Sequence, residues 1–148
     1  MLLNRIKPQR FVYHVSKREN RKSIDQQGLR TNTDNGILNF QNAVFANNSN
    51  CGDWFPFVID VFEECNFNDY DIWRIDTNKI NNEWFIDNRC LGANWGDAHI
   101  LSHKAIPRFA LDLFILEDFR ICFSEMDGAS HYHTLGGFTI NKLKKIKL

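Results

Sequence analysis

A junction between an apolar strand and a capped helix, close to the N-terminus, limits most strongly what this chain can fold into. Residues 11–15 are rich in aromatic and β-branched side chains, which predicts a short strand. Ser16 and Glu19 then have the spacing of a capping box, so a helix is predicted to begin at once. Gly28 can supply the left-handed residue that ends this helix. His14 is therefore expected at the mouth of a strand-to-helix junction.

The length of the chain indicates one domain, and its balanced charge indicates no strong overall electrostatic field. A chain of 148 residues is large enough for one substantial core and too short for two comfortable ones. Basic and acidic residues number 18 each, so a nucleic acid or a membrane surface would have to be met by a local patch. The 13 phenylalanines and four tryptophans predict a bulky core first and a stacking surface second. We predict one domain over residues 1–148, with a basic tail at 141–148 whose lysines either contact phosphates or belong to a frayed, solvated end, and we favour the frayed end.

The cysteines and the N-terminal residues favour a cytoplasmic protein. The four cysteines have no Cys-x-x-Cys spacing, and the first ten residues lack the apolar stretch and cleavage site of a secretory signal. No apolar run approaches the roughly 20 residues of a membrane helix. His131-Tyr132-His133 together with Cys122 offers fewer than the four ligands, in paired short spacings, that structural zinc normally requires. We therefore expect reduced thiols, no metal and no membrane partner.

Short apolar segments separated by turn formers continue along the rest of the chain. The segments typical of strands are 43–46, 70–77, 99–102, 113–116, 120–123 and 138–140. Residues 54–62 form either a helix or an edge strand, because Pro56 interrupts them. Pro107 is well placed as the first residue of a further helix. Many short strands with two or three short helices predict an α+β fold.

Three blocks of sequence carry a resemblance to a known family. They are Tyr13-His14-Val15-Ser16 with Glu19-Asn20, Ile24 and Gly28-Leu29; then Val44-Phe45-Ala46; then Ala98-His99-Ile100-Leu101 with Ala105-Ile106-Pro107. In this order the blocks resemble the ADP-ribosyltransferase-like fold, the group that includes enzymes of PARP and diphtheria-toxin type, DNA-targeting toxins and RNA 2′-phosphotransferases. The resemblance implies split antiparallel β-sheets with a few short helices.

The resemblance also implies a cofactor and the residues that bind it. In this family the histidine of the first block contacts the ribose and nicotinamide half of NAD, which makes NAD the expected cofactor and His14 its expected contact. The residues that the resemblance assigns to the cofactor site are Tyr13, His14, Val15, Ser16, Phe45 and Asn47. The implied activity is transfer of ADP-ribose to a protein or a nucleic acid, or hydrolysis of NAD.

The last block departs from the family pattern at the catalytic position. Transferases of this group usually carry a glutamate a few residues before the Ile-Pro turn, whereas His99 stands there, with Asp97 two residues earlier. A carboxylate can hold a ribose hydroxyl and stabilise the cation-like sugar that forms as nicotinamide leaves. An imidazolium would oppose that charge. His99 and Asp97 are the candidate catalytic residues, and Glu83 and Glu125 are the other candidate carboxylates.

Three kinds of function remain open from the sequence. The first is an active transferase or NAD glycohydrolase of a bacterial or phage toxin or defence system, a source favoured by the Asn-, Ile- and Lys-rich composition. The second is an inactive member of the fold that binds a nucleotide, a nucleic acid or a protein. The third is an interaction protein that docks a partner through exposed tryptophans. The phosphotransferase branch instead uses several arginines, and those available are Arg10, Arg74, Arg89 and Arg108.

Overall fold

The computed structural model describes residues 4–31, 42–48, 69–86, 99–116, 122–123, 135–136 and 143–148. Within them lie one α-helix, α1 (Arg21–Gln27), and ten strands. The strands are β1 (Arg5–Ile6), β2 (Phe11–Lys17), β3 (Val44–Asn47), β4 (Tyr70–Asp76), β5 (Trp84–Ile86), β6 (His99–Ser102), β7 (Leu111–Leu116), β8 (Cys122–Phe123), β9 (Leu135–Gly136) and β10 (Leu143–Ile146). Short 3₁₀ turns occupy Arg18–Asn20, Thr77–Lys79 and Arg108–Ala110.

Eight of these strands form one antiparallel sheet that is nearly divided in the middle. Their order is β1-β5-β6-β3-β2-β4-β7-β10, and β8 pairs with β9 in a separate two-stranded sheet. Strand β2 pairs with β4 over its whole length, but with β3 only where Tyr13 lies opposite Asn47. We call this junction of β2 and β3 the seam. The predicted α+β class is confirmed in its coarse form, as a mostly antiparallel sheet with one short helix among the described residues.

The main apolar cluster lies on one face of the sheet and draws on both sides of the seam, while Tyr13, Ile72 and Leu101 are buried on the other face. On β2 and β4, Val12 pairs with Ile75 and His14 pairs with Trp73, so these four side chains share that face. The buried apolar cluster consists of Val12, Ile24, Leu29, Val44, Ala46, Trp73, Ile75, Trp84, Ile100, Ile106, Ala110, Leu111 and Leu113. Trp73 and Trp84 are 0 and 2% exposed, which assigns both to the core and not to a docking surface. Trp54 and Trp95 lie outside the described residues.

Strand β2 runs two residues further than the sequence predicts, and the predicted capping box is wrong. Ser16 pairs with Asp71 in the ladder to β4 instead of capping a helix. The 3₁₀ turn at Arg18–Asn20 follows, and α1 begins only at Arg21; neither has a hydrogen bond from a capping side chain. The Ser16 hydroxyl accepts a long bond of 3.4 Å from the Asn20 side chain. Pairing with β4 keeps the chain extended, and this tertiary contact outweighs the local preference.

The end of α1 is tied directly to the segment before β7. Gly28 ends the helix as predicted, with φ at +73° and its N–H bonded to the Ile24 carbonyl at 2.8 Å. The next residue, Leu29, forms an isolated antiparallel bridge with Ile106, and both N–H···O distances are 2.9 Å. The first and the last of the three sequence blocks therefore meet in space.

Two further predictions from local pattern are wrong. Pro107 does not begin an α-helix: a single 3₁₀ turn follows it, and the chain enters β7 at Leu111 because β7 pairs with β4 on one side and β10 on the other. The basic tail is not frayed, since β10 pairs with β7 and Lys145 lies 3.4 Å from the Asp112 carboxylate. The segments 54–62 and 138–140 lie outside the described residues.

Candidate functional site

His14 lies at the seam, on the core face of β2. Its Nδ1 is 2.6 Å from the carbonyl oxygen of Phe45 on β3. A carbonyl oxygen can only accept a hydrogen bond, so Nδ1 carries a proton and donates it. In a neutral ring this leaves Nε2 as an acceptor, and Nε2 has no hydrogen-bond partner within the described part of the chain. The backbone of β3 thus fixes the tautomer in which Nε2 can accept a hydrogen bond from a ligand hydroxyl.

Burial keeps the His14 ring neutral. It lowers the pKa of the imidazole below the usual 6.5, and the hydrogen bond to the Phe45 carbonyl, which favours the charged form, offsets only part of this effect. His14 is therefore a neutral acceptor near pH 7. Such a group can hold a sugar hydroxyl without adding positive charge to the site.

The stability of the protein is expected to fall at mildly acidic pH because of His14. The pKa of its ring is lower in the folded than in the unfolded chain, so the unfolded chain binds the proton more readily as the pH drops below about 6.5. Urea unfolding at pH 7.5 and 5.5 should show a larger loss of stability for the wild type than for His14→Gln, whose side chain does not titrate. Equal losses in the two proteins would contradict a buried neutral ring.

Two carboxylates, Asp76, which is buried, and Asp112, which is partly buried, do not titrate in that pH range. Burial by itself would raise the pKa of Asp76 and Asp112. Hydrogen bonds from Arg10 and Arg74, respectively, nevertheless hold both pKa values below 3.8. These carboxylates support stability above their unfolded pKa, and that support is lost only when the pH falls through their lowered folded values.

Beyond Tyr13, the edge of β2 that faces β3 has no ladder partner among the described residues, and we call this stretch the open edge. The pairing with β3 stops there, whereas β2 continues to Lys17 with β4 on its other side. Backbone N–H and C=O groups of residues 15–17 that point toward β3 consequently have no ladder partner among the described residues. Ser16 shares a face with His14, since alternate residues of a strand point the same way. Along β2, the backbone positions of His14 and Ser16 are about 7 Å apart.

No protein-family model and no curated protein matches this chain. What it does must therefore be inferred from the side chains and backbone at the seam.

Tyr13, Asn47 and Phe45 join the two halves of the sheet at the seam. Asn47 Nδ2 donates to the Tyr13 carbonyl at 3.3 Å, and Phe45 supplies the carbonyl that His14 contacts. Tyr13 points to the face opposite His14, because the two are consecutive in a strand. Burial raises the pKa of Tyr13 above 10, and the charge of Arg74 offsets only part of this. The side chain of Val15 points to the same face as that of Tyr13, so only the backbone of Val15 is available to a ligand at the open edge.

The candidate catalytic position is level with the seam. His99 begins β6 and lies opposite Asn47, which in turn lies opposite Tyr13, so the three residues form one row across neighbouring strands. Two strand spacings of about 4.8 Å put the backbone at position 99 about 10 Å from β2. The His99 side chain, Asp97 and Glu125 lie outside the described residues. Glu83 forms an exposed ion pair of 3.5 Å with Arg5 and precedes β5, which β6 and β3 separate from β2.

A buried carboxylate with two arginines, which the sequence did not single out, lies at the end of β2. Asp71 is 0% exposed and accepts hydrogen bonds from Arg21 at 2.7 and 2.5 Å and from Arg18 at 3.0 Å. We call these three residues the arginine clamp. Because Asp71 is the register partner of Ser16, the clamp is on the face that carries His14. One sequence signal could have revealed the clamp: Asp71 is an ionisable residue inside an apolar strand, and a buried ionisable residue requires a partner.

The arginines that the sequence offered are not gathered at one place. Arg10 pairs with Asp76 at 3.3 Å, Arg74 with Asp112 at 2.9 Å and Arg108 with Asp25 at 2.8 Å. Arg89 lies outside the described residues. Across the described ranges, no group of three or more His, Cys, Asp and Glu side chains could hold a metal ion. In the same part of the chain, no helix has the length and apolar character needed to cross a membrane.

Proposed function

We propose that this protein binds NAD at the seam and transfers ADP-ribose from it to a macromolecular acceptor. The observation that carries the proposal is the His14 ring, kept neutral by burial and held in one tautomer by the Phe45 carbonyl, with no partner for Nε2 among the described residues. A ribose hydroxyl of the nicotinamide half is the donor that this nitrogen suits. This agrees with the sequence resemblance to ADP-ribosyltransferase-like proteins.

The open edge of β2 suits the nicotinamide group. The carboxamide of nicotinamide has two N–H donors and one C=O acceptor, and one N–H with the C=O forms the same pair that a neighbouring strand would present. The Tyr13 carbonyl points toward β3, where it accepts from the Asn47 side chain, so the N–H and C=O of Val15, two residues further on, face the same side and can bond both groups. The Ser16 hydroxyl on the face of His14 adds a further partner. Nicotinamide would thus lie between β2 and β3, where the ladder between the two strands stops.

A neutral His14 also suits the chemistry of transfer. The bond between C1′ of the ribose and the nicotinamide nitrogen breaks, and its electron pair leaves with neutral nicotinamide. The sugar becomes cation-like, an acceptor oxygen or nitrogen bonds to C1′, and the acceptor loses a proton. An imidazolium at position 14 would repel the developing charge, whereas the lowered pKa of His14 avoids this repulsion.

Release of nicotinamide from labelled NAD tests the proposal. His14→Ala is expected to lower the rate about 100-fold, because the ribose is no longer held in the reactive geometry. His103→Ala is the matched control: His103 is exposed on the turn after β6, 3.2 Å from the Asn42 carbonyl, and its loss should leave the rate unchanged. Equal rates for the wild type and His14→Ala, with both proteins folded, would contradict the assignment.

The alternative is a member of the same fold that binds the nucleotide without cleaving it. The histidine that stands at position 99 in place of glutamate favours this alternative. Calorimetry with NAD separates the two functions: binding without nicotinamide release, together with cleavage gained by His99→Glu, would establish the binding protein. A wild type that neither binds nor cleaves NAD would exclude both.

A further inference from the structure

We propose that Arg18 and Arg21, oriented by Asp71, form the subsite for the diphosphate of the bound nucleotide. The inference rests on the proposed function, because it assigns the part of the dinucleotide next to the ribose at His14. The sequence blocks that carry the family resemblance include neither arginine and do not include Asp71.

The clamp holds more positive charge than its carboxylate requires. Arg21 already bonds both oxygens of Asp71, through Nε at 2.7 Å and Nη2 at 2.5 Å. Arg18 adds a third bond at 3.0 Å and also donates to the Tyr70 carbonyl at 3.2 Å. A bidentate arginine balances one carboxylate, so a second guanidinium leaves the clamp with a net charge of +1.

The cationic groups, and not the carboxylate, face the solvent. The side chains of Arg18 and Arg21 are 35 and 28% exposed, whereas Asp71 is 0% exposed behind them. In each arginine, Nε and Nη2 donate inward, to Asp71 or to the Tyr70 carbonyl. Nη1 of each arginine has no partner in the part of the chain that the structure describes. Two guanidinium forks with spare donors match the oxygens of a phosphate. Asp71 fixes both side chains, so little conformational entropy remains to be lost on binding.

The spacing along β2 suits a nucleotide. Asp71 lies opposite Ser16, two residues from His14, and this span is about 7 Å along the strand. It is of the order of the distance from a ribose hydroxyl, across the ring and its 5′ carbon, to the first phosphate. A ribose at His14 can therefore place its first phosphate at the arginine clamp.

Arg18→Gln tests the subsite without dismantling the clamp, because Arg21 still holds Asp71 through two bonds. We expect the KM for NAD to rise about tenfold with little change in kcat, the result of losing a charge-assisted phosphate contact. Cleavage of nicotinamide riboside, which has no phosphate, should be unchanged. Arg30→Gln, at an exposed arginine just after Gly28, is the control and should behave as the wild type with both substrates. Equal effects of Arg18→Gln on both substrates, or on neither, would overturn the proposal.

A binding measurement separates this inference from the proposed function. If the wild type cleaves neither substrate, the transferase proposal fails. Binding of ADP, measured as a shift in melting temperature, then tests the clamp by itself. ADP that raises the melting temperature of the wild type and of Arg30→Gln, but not of Arg18→Gln, would support a diphosphate site. The absence of any shift with ADP, or the same shift in all three proteins, would refute it.

Discussion

Replacing Gly28 by alanine is expected to lower the free energy of unfolding by about 4 kcal/mol. Gly28 has φ at +73° and ψ at −167°, a backbone conformation that side chains with a Cβ rarely adopt. An added Cβ would overlap the carbonyl oxygen of Ile106 and would lie 3.0 Å from the nitrogen of Arg108. Both are backbone atoms, so no side chain can rotate to make room. The bridge between Leu29 and Ile106, with its two hydrogen bonds, would have to open.

Thermal unfolding of Gly28→Ala checks this expectation. A loss of this size corresponds to a fall in melting temperature of roughly 10 °C for a domain of about 150 residues. Gln27→Ala is the control, because Gln27 is the exposed last residue of α1 and alanine favours a helix. That control should melt within a few degrees of the wild type. If Gly28→Ala melted with it, α1 could not end against Ile106.

Local pattern predicted the parts of the fold that depend on neighbours in sequence. The aromatic and β-branched run that opens β2 and the period-two alternation of β4 both predicted strands, and Gly28 was recognised as the end of a helix. Ser16 was misread because its spacing to Glu19 reports only on local hydrogen bonds, whereas its partner Asp71 comes from a distant strand. Pro107 was misread for the same reason: its surroundings suit a helix start, but β7 is held extended by two neighbours.

The candidate site also has a part that the sequence pattern predicts and a part that depends on contacts between distant segments. The block around His14 has a readable pattern, and the structure puts that residue at the seam. Its partner is a backbone carbonyl, which any residue at position 45 would provide, so no side-chain signal exists for it. Arg18 and Arg21 are three apart and could have been paired from sequence alone. The register that sets Asp71 opposite Ser16 is a long-range property, and the clamp becomes visible only when β2 and β4 are aligned.

Replacing Asp71 by alanine is expected to lower the free energy of unfolding by about 3 kcal/mol. The carboxylate is 0% exposed and accepts hydrogen bonds from both arginines of the clamp. Its removal abolishes these bonds and leaves two partly buried guanidinium groups to repel each other without a counter-charge. The arginines are about one-third exposed and can turn toward solvent, so the loss stays below that of stripping a fully buried ion.

Urea unfolding of Asp71→Ala and Glu83→Ala provides the comparison. Glu83 pairs with Arg5 across 3.5 Å at the surface, where a salt bridge contributes about 0.5 kcal/mol, and the loss of either partner should be small. Similar losses in the two variants would mean that Asp71 does not hold the arginines. The double variant Asp71→Ala/Arg18→Gln adds a sharper criterion. If Arg18 is held by Asp71, removing both relieves the repulsion, and the double variant should lose less than the sum of the two single losses.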